Sequence, residues 1–223
     1  MAPSSVSDKV LIPDVPYYMM PQDDPGHCYQ VSMKVVLEYF LHKQFPLEEL
    51  DRLTGRKGDF WTWGAQVVSA LDELGLRVKY YSSADIAPFM EGADYMRRAY
   101  PNAAEKAISK TDMPVMIRAT KNVVGSGLFE IRKLSTSDIC DHLRQGNLVI
   151  VNLDLNVLYR KPGAYGGHSI VVVGYDADAM YVHESNFYYQ SPYKRVLKAD
   201  FEAARAAEGI DFDVIVVYGP RAT

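Results

Sequence analysis

The chain has 223 residues, 48% of them hydrophobic, which is enough for one sizeable core. A formal net charge of -4 gives no electrostatic case for nucleic acid or an anionic membrane as a partner, and no apolar run approaches the roughly 18 residues of a membrane-spanning helix. The opening MAPSSVSDKVLIPDVP lacks a basic region followed by an apolar stretch, and two cysteines, Cys28 and Cys140, make no disulfide framework, so a soluble cytoplasmic chain with reduced thiols is expected.

KVLIPDVPYYMM has extended character, because Pro13 and Pro16 disfavour a helix. After QDDPGHC, the spacing of Val31, Met33, Val35, Val36, Leu37 and Phe40 predicts a helix with a broad apolar stripe, broken at Phe45-Pro46. PLEELDRLTG reads as a short helix closed by Gly55, and the stretch from Gly64 to Glu73 as another, ending at Gly75. RVKYYSS reads as a strand. Residues 84–136 are mixed: PFMEGADYMRRAY and AAEKAISK have helical character, PVMIRAT and LFEIRKL strand character, and Gly125-Ser126-Gly127 marks a flexible turn. TSDICDHLRQG is a short helix with Thr136 or Ser137 as N-cap and Gly146 closing it. NLVIVNLDL, HSIVVVGYD, MYVHES and FDVIVVYG are four strands joined by hairpin-like links. Helices first and strands afterwards indicate an α+β fold with a largely antiparallel sheet, in one domain spanning 1–223 with a lid or insertion at about 84–136.

Cys28 stands where an irregular turn gives way to the first helix. A thiol there faces the positive end of the backbone dipole and several unpaired N–H groups, which favour thiolate. The ordinary fate of such a residue is a small buried hydrophobe, and Cys140, in mid-helix, fits that description. Asp23 and Asp24 would oppose a thiolate if they pointed inward, and are expected to be solvated or to cap the helix. Gln22 can turn its amide N–H toward a substrate carbonyl and join the Cys28 N–H as an oxyanion hole.

A nucleophilic cysteine needs a base. His27 adjoins Cys28 and cannot face it from the same helix, while His42 and His142 sit on helices without suitable partners. His168 follows the glycine-rich loop YRKPGAYGG and begins a strand. The next hairpin returns His183-Glu184-Ser185-Asn186 beside it, so that Glu184 or Asn186 can accept the imidazole N–H, with His183 pointing the other way.

These residues carry a resemblance. VPYYMMPQDDPGHCYQVSMKVVLEYF, GNLVIVNLD and GGHSIVVVGYDADAMYVHES are similar to the C39-like peptidase family of papain-like cysteine enzymes, over roughly residues 10–55 and 137–187. The resemblance implies a papain-like fold, with Cys28 as nucleophile, His168 as base, Gln22 in the oxyanion hole and Glu184 in the orienting place usually held by Asp or Asn. Tyr29 departs from the small residue that commonly follows the cysteine, and Glu184 is one methylene longer than Asp, which leaves Asn186 as the alternative third member.

The expected chemistry is attack of the Cys28 sulfur on an amide, ester or thioester carbonyl, giving a covalent thioester that passes to water in a hydrolase. The alternative is transfer of an acyl or aminoacyl group from a carrier-protein thioester to an amine. A catalytically silent binding module of the same fold is a third reading. Expected partners are therefore a peptide or an acyl or amide small molecule, with a carrier protein in the transfer case. No cofactor is expected, and Cys28, His168 and Glu184 fit no compact zinc spacing, so no metal is expected either. The sixteen tyrosines, many in YY pairs, suit half-buried strands or a recognition cleft, and Trp61 and Trp63 suit either a groove or a helix staple.

Overall fold

The computed structural model describes residues 9–24 and 26–221; the reading of the first eight residues lies outside them. A short strand β1 (Val10–Leu11) precedes helices α1 (Cys28–Leu41), α2 (Leu47–Thr54) and α3 (Gly64–Glu73) and strand β2 (Leu76–Ser82). After a single 3-10 turn come α4 (Ala93–Ala99), α5 (Ala104–Ser109), α6 (Met113–Gly125), β3 (Phe129–Ile131) and α7 (Thr136–Arg144). The rest is β4 (Leu148–Asp154), α8 (Leu155–Leu158), β5 (Gly167–Tyr175), β6 (Ala179–Glu184), β7 (Ser191–Leu197), α9 (Lys198–Arg205) and β8 (Val214–Pro220).

The strands form one sheet in the order β3-β2-β8-β4-β5-β6-β7, with β1 added to β5. Every pairing is antiparallel except β2 with β3. The fold is the expected α+β arrangement of N-terminal helices packed on a mostly antiparallel sheet. β4 and β8 are apolar along nearly their whole length because both of their faces are covered. Helix α1 buries Val31, Met33, Val35, Val36 and Leu37, so it lies inside the molecule rather than on its surface. Each such side chain contributes about 1.5–3 kcal/mol on leaving water. Gly174 lets β1 approach: a Cβ there would meet the Val10 carbonyl at 2.5 Å.

Three local readings are corrected. PVMIRAT lies in helix α6, not a strand. Asp112 caps the helix by accepting the Val115 N–H at 3.3 Å, Pro114 fits the first turn, and Met116, Ala119, Thr120 and Val123 form its buried face. Ser135, rather than Thr136 or Ser137, is the N-cap of α7. Its hydroxyl accepts the Asp138 N–H at 3.1 Å while the Asp138 carboxylate accepts the Ser135 N–H at 2.8 Å, a reciprocal box. Strand β7 and helix α9, after the third expected strand, were not anticipated; SPYKRVL is an edge strand, with little apolar alternation to reveal it.

Candidate active site

Cys28 is the first residue of α1 and half-buried, and neither it nor Cys140 is in a disulfide. Helix α1 lies against β5, where His168 is the second residue. The loop before His168 is tied down from β4. Asp154 accepts the N–H groups of Asn156 at 2.7 Å, Val157 at 3.1 Å and Gly166 at 3.3 Å, and Asn156 donates to the Ala164 carbonyl at 2.7 Å. Loop and strand together bring the His168 ring to the thiol.

The far side of the ring meets a carboxylate. His168 Nε2 lies 2.7 Å from Glu184 Oε1, at the end of β6, which leaves Nδ1 for the sulfur. Glu184 is fully buried and has three donors: His168, the Tyr159 hydroxyl at 2.8 Å on Oε2, and the Asn186 N–H at 2.8 Å on Oε1. The Asn186 side chain turns away and accepts the Tyr188 N–H at 3.0 Å. Tyr159 is in turn fixed by stacking on Tyr189, with ring centroids 3.9 Å apart. The extra methylene of glutamate is accommodated here because a tyrosine and a backbone amide hold the carboxylate in place.

The electrostatics of the three groups agree. Burial pushes the Cys28 thiol up, but the adjoining His168 and the N–H and hydroxyl of Ser169 outweigh it and leave the thiol below its ordinary value. Burial pushes His168 down, and the Glu184 charge and the thiol reverse this, raising it well above the usual imidazole range. Burial pushes Glu184 up, and His168, the Asn186 N–H and the Tyr159 hydroxyl bring it below the ordinary carboxylate value. Each shift favours a thiolate, an imidazolium and a carboxylate in line.

The turn ahead of Cys28 differs from expectation in one respect. Asp24 neither caps α1 nor simply faces water: Arg56, buried at the end of α2, donates to its carboxylate at 2.5 Å. His27 turns into the same cluster, with Nε2 2.9 Å from Asp51 Oδ2 and from Arg56 Nη1. Arg56 thus neutralises the Asp24 and Asp51 carboxylates of this turn. Gln22 stands exposed in the turn, where the Asp24 N–H meets the Pro21 carbonyl at 3.3 Å. His183 is engaged elsewhere, donating from Nε2 to the Val15 carbonyl at 3.1 Å and accepting the Tyr193 N–H at 3.1 Å. Trp63 bonds Thr111 at 2.9 Å and packs on Phe89, so it fastens the 84–136 stretch to the start of α3. Among the described residues no three of His, Cys, Asp and Glu make a metal-ligand group. No helix in them is long and apolar enough to cross a membrane.

Sequence reasoning missed Tyr159, Ser169 and Arg56. Only Ser169, adjoining His168 on its strand, carried a signal that could have found it.

Two solved structures are similar over nearly the full chain. A protein described as a C39-like peptidase from Bacillus anthracis matches with a TM-score of 0.58 at 13% identity, covering 96% of this chain and 99% of its own. The peptidase domain of Streptococcus ComA, a bifunctional ABC transporter of a quorum-sensing pathway, matches with a TM-score of 0.50 at 14% identity, covering 92% and 100%. These likenesses establish a C39 peptidase-like fold. No curated protein matches the chain. The family model described as guanylylate cyclase matches residues 19–217, and the chain therefore belongs to the guanylylate cyclase family.

Proposed function

We propose that this chain is a papain-like cysteine enzyme that acts on acyl groups through a thioester on Cys28, a peptidase or amidohydrolase in its simplest form. The observation that carries the reading is the line of thiol, imidazole and buried carboxylate, with the thiol at the N-terminus of α1. The peptidase names of the similar structures support it.

In this mechanism the Cys28 sulfur attacks the carbonyl carbon, and the carbonyl oxygen becomes an oxyanion. The Cys28 N–H donates to it, and Gln22 swings in from its exposed turn as the second donor. His168, oriented by Glu184, gives its proton to the leaving amine, alcohol or thiol as the tetrahedral species collapses to the thioester. It then takes a proton from water, or from an acceptor amine, as that group attacks the thioester and restores the thiol. Residues 84–136 wall the cleft. A cytoplasmic setting keeps the thiol reduced.

The test is intact mass spectrometry of the protein incubated with amide, ester and carrier-thioester donors. A covalent adduct that disappears in Cys28→Ser is expected, and its mass names the donor class. The family's name points instead to nucleotide cyclisation. Formation of cyclic GMP from GTP that survives Cys28→Ser, with no acyl adduct from any donor, would replace this reading.

A further inference from the structure

The register of the sheet places a polar row beside the thiol. Asn152 on β4 pairs with Ser169 on β5, and Val151 pairs with Val214 on β8, which sets Asp213 next to Asn152. The Asn152 N–H indeed donates to the Asp213 carbonyl at 3.1 Å. On the other side Tyr81 pairs with Val214, which brings Ser82 to Asp213. Residues paired across strands share a face, so Ser169, Asn152, Asp213 and Ser82 form one transverse line. Its neighbour on the same face is Val171, Ile150, Ile215 and Tyr80, nearly all apolar. The polar line begins at Ser169, which donates to the Cys28 sulfur and lies 3.1 Å from Ser32 of α1.

Asp213 stands out within this row. Ser82 and Ser169 are sealed, whereas Asp213 keeps part of its surface open. The groups that act on its carboxyl are neutral or acidic: Ser82, Tyr80, Asn152 and Asp211. Tyrosines wall it. Tyr29 and Tyr165 each sense both Asp213 and Cys28, the Tyr165 hydroxyl meets the Asn152 side chain, and the Tyr165 ring packs over Gly209. A partly buried acid among neutral donors and aromatic walls suits a cationic guest, which supplies the missing counter-charge.

We propose that this row is the acyl-group subsite of the Cys28 site, and that Asp213 holds a protonated amine on the acyl group. The proposal rests on the acyl-enzyme reading above and names its substrate class. Two strand spacings of about 4.8 Å set Asp213 roughly 10 Å from Ser169. An extended acyl group of two residues spans about 7 Å, which leaves about 3 Å for the ammonium–carboxylate hydrogen bond. The substrate is an acyl donor with its amine some two residues from the reacting carbonyl, as in a dipeptidyl group.

The experiment compares two chloroacetamides of equal length, one aminoethyl and one propyl, as alkylators of Cys28. The thiolate displaces chloride from either and forms a thioether, so acyl transfer is not required. The cationic reagent is expected to react about tenfold faster or more with the wild type, and the ratio is expected to fall to near one in Asp213→Asn, with thermal melting as the fold control. The wild type supplies a second readout. Burial raises the Asp213 carboxyl to about 6, so the ratio should fall as the pH drops through that region. Asp213 faces Asp211 from its own loop, Tyr80 from β2, Tyr100 from the end of α4, Tyr29 from α1 and Tyr165 from the loop before β5. The tyrosines titrate above neutrality, and any pH dependence due to Asp211 persists in Asp213→Asn. Equal rates of the two reagents in the wild type overturn the subsite and leave the acyl-enzyme reading standing. If Cys28 is alkylated no faster than Cys140 by either reagent, the acyl-enzyme reading falls and the subsite falls with it.

Discussion

Glu184→Gln tests the site at its most buried point. The glutamate accepts three hydrogen bonds, from His168, Tyr159 and the Asn186 N–H. A glutamine of the same length has one oxygen and one NH2, so the NH2 must confront a donor and the imidazolium loses its counter-charge. Leaving a buried donor unmet costs about 1–3 kcal/mol, and removing one partner of a buried ion pair brings the total to about 3–5 kcal/mol. The sign with pH follows from the shifts. Glu184 is held below its ordinary value, so its contribution is present above the ordinary carboxylate range and lost as the pH falls through the lowered folded value. His168 is raised, so its contribution is complete below the ordinary imidazole value and lost as the pH rises through the raised one. The stability gap between wild type and variant is therefore widest at mildly acidic pH, between the ordinary carboxylate and imidazole values, and closes both in stronger acid and as the pH rises toward the raised His168 value. Urea unfolding across the pH range measures it. Iodoacetamide alkylation of Cys28 should show the thiolate of the variant appearing at higher pH than in the wild type. An unchanged alkylation profile together with an unchanged unfolding midpoint at neutral pH would refute the reasoning.

Further outcomes follow from other contacts. Tyr159→Phe keeps the stack on Tyr189 but removes one donor to Glu184, and should cost about 1 kcal/mol in chemical denaturation while shifting the Cys28 alkylation profile only slightly. Arg56→Met leaves the Asp24 and Asp51 carboxylates uncompensated, and should destabilise by about 3 kcal/mol at neutral pH in chemical denaturation. Burial pushes Asp24 up, but Arg56 holds it below its ordinary value, so the part of that loss due to this pair disappears as the pH falls through the lowered value. Gly174→Ala drives a methyl into the Val10 carbonyl, and thermal melting should show a loss of about 1–3 kcal/mol as β1 is displaced.

Much of this arrangement was legible in the chain. Cys28 at a helix start, His168 at a strand mouth and Glu184 at the end of the returning hairpin follow from local periodicity and turn signals, which act over a few residues. The misreadings share a physical cause. PVMIRAT has β-branched composition, yet a capping aspartate and a buried face on α3 make it helical. SPYKRVL lacks alternation because, at the sheet edge, pairing with β6 rather than burial holds it in place.

The sequence by itself determined the order of the first three helices and of the strands that carry the site, the α+β class and which thiol stands at a helix end, because hydrophobic period, capping and glycine stops are written within each segment. Only tertiary structure decided what surrounds that thiol. Tyr159 reaches Glu184 across 25 residues, Arg56 neutralises Asp24 across 32, and the Ser169–Asn152–Asp213–Ser82 line exists only once four strands are in register. These contacts join residues whose local patterns are independent, and strand pairing and core packing set their distances.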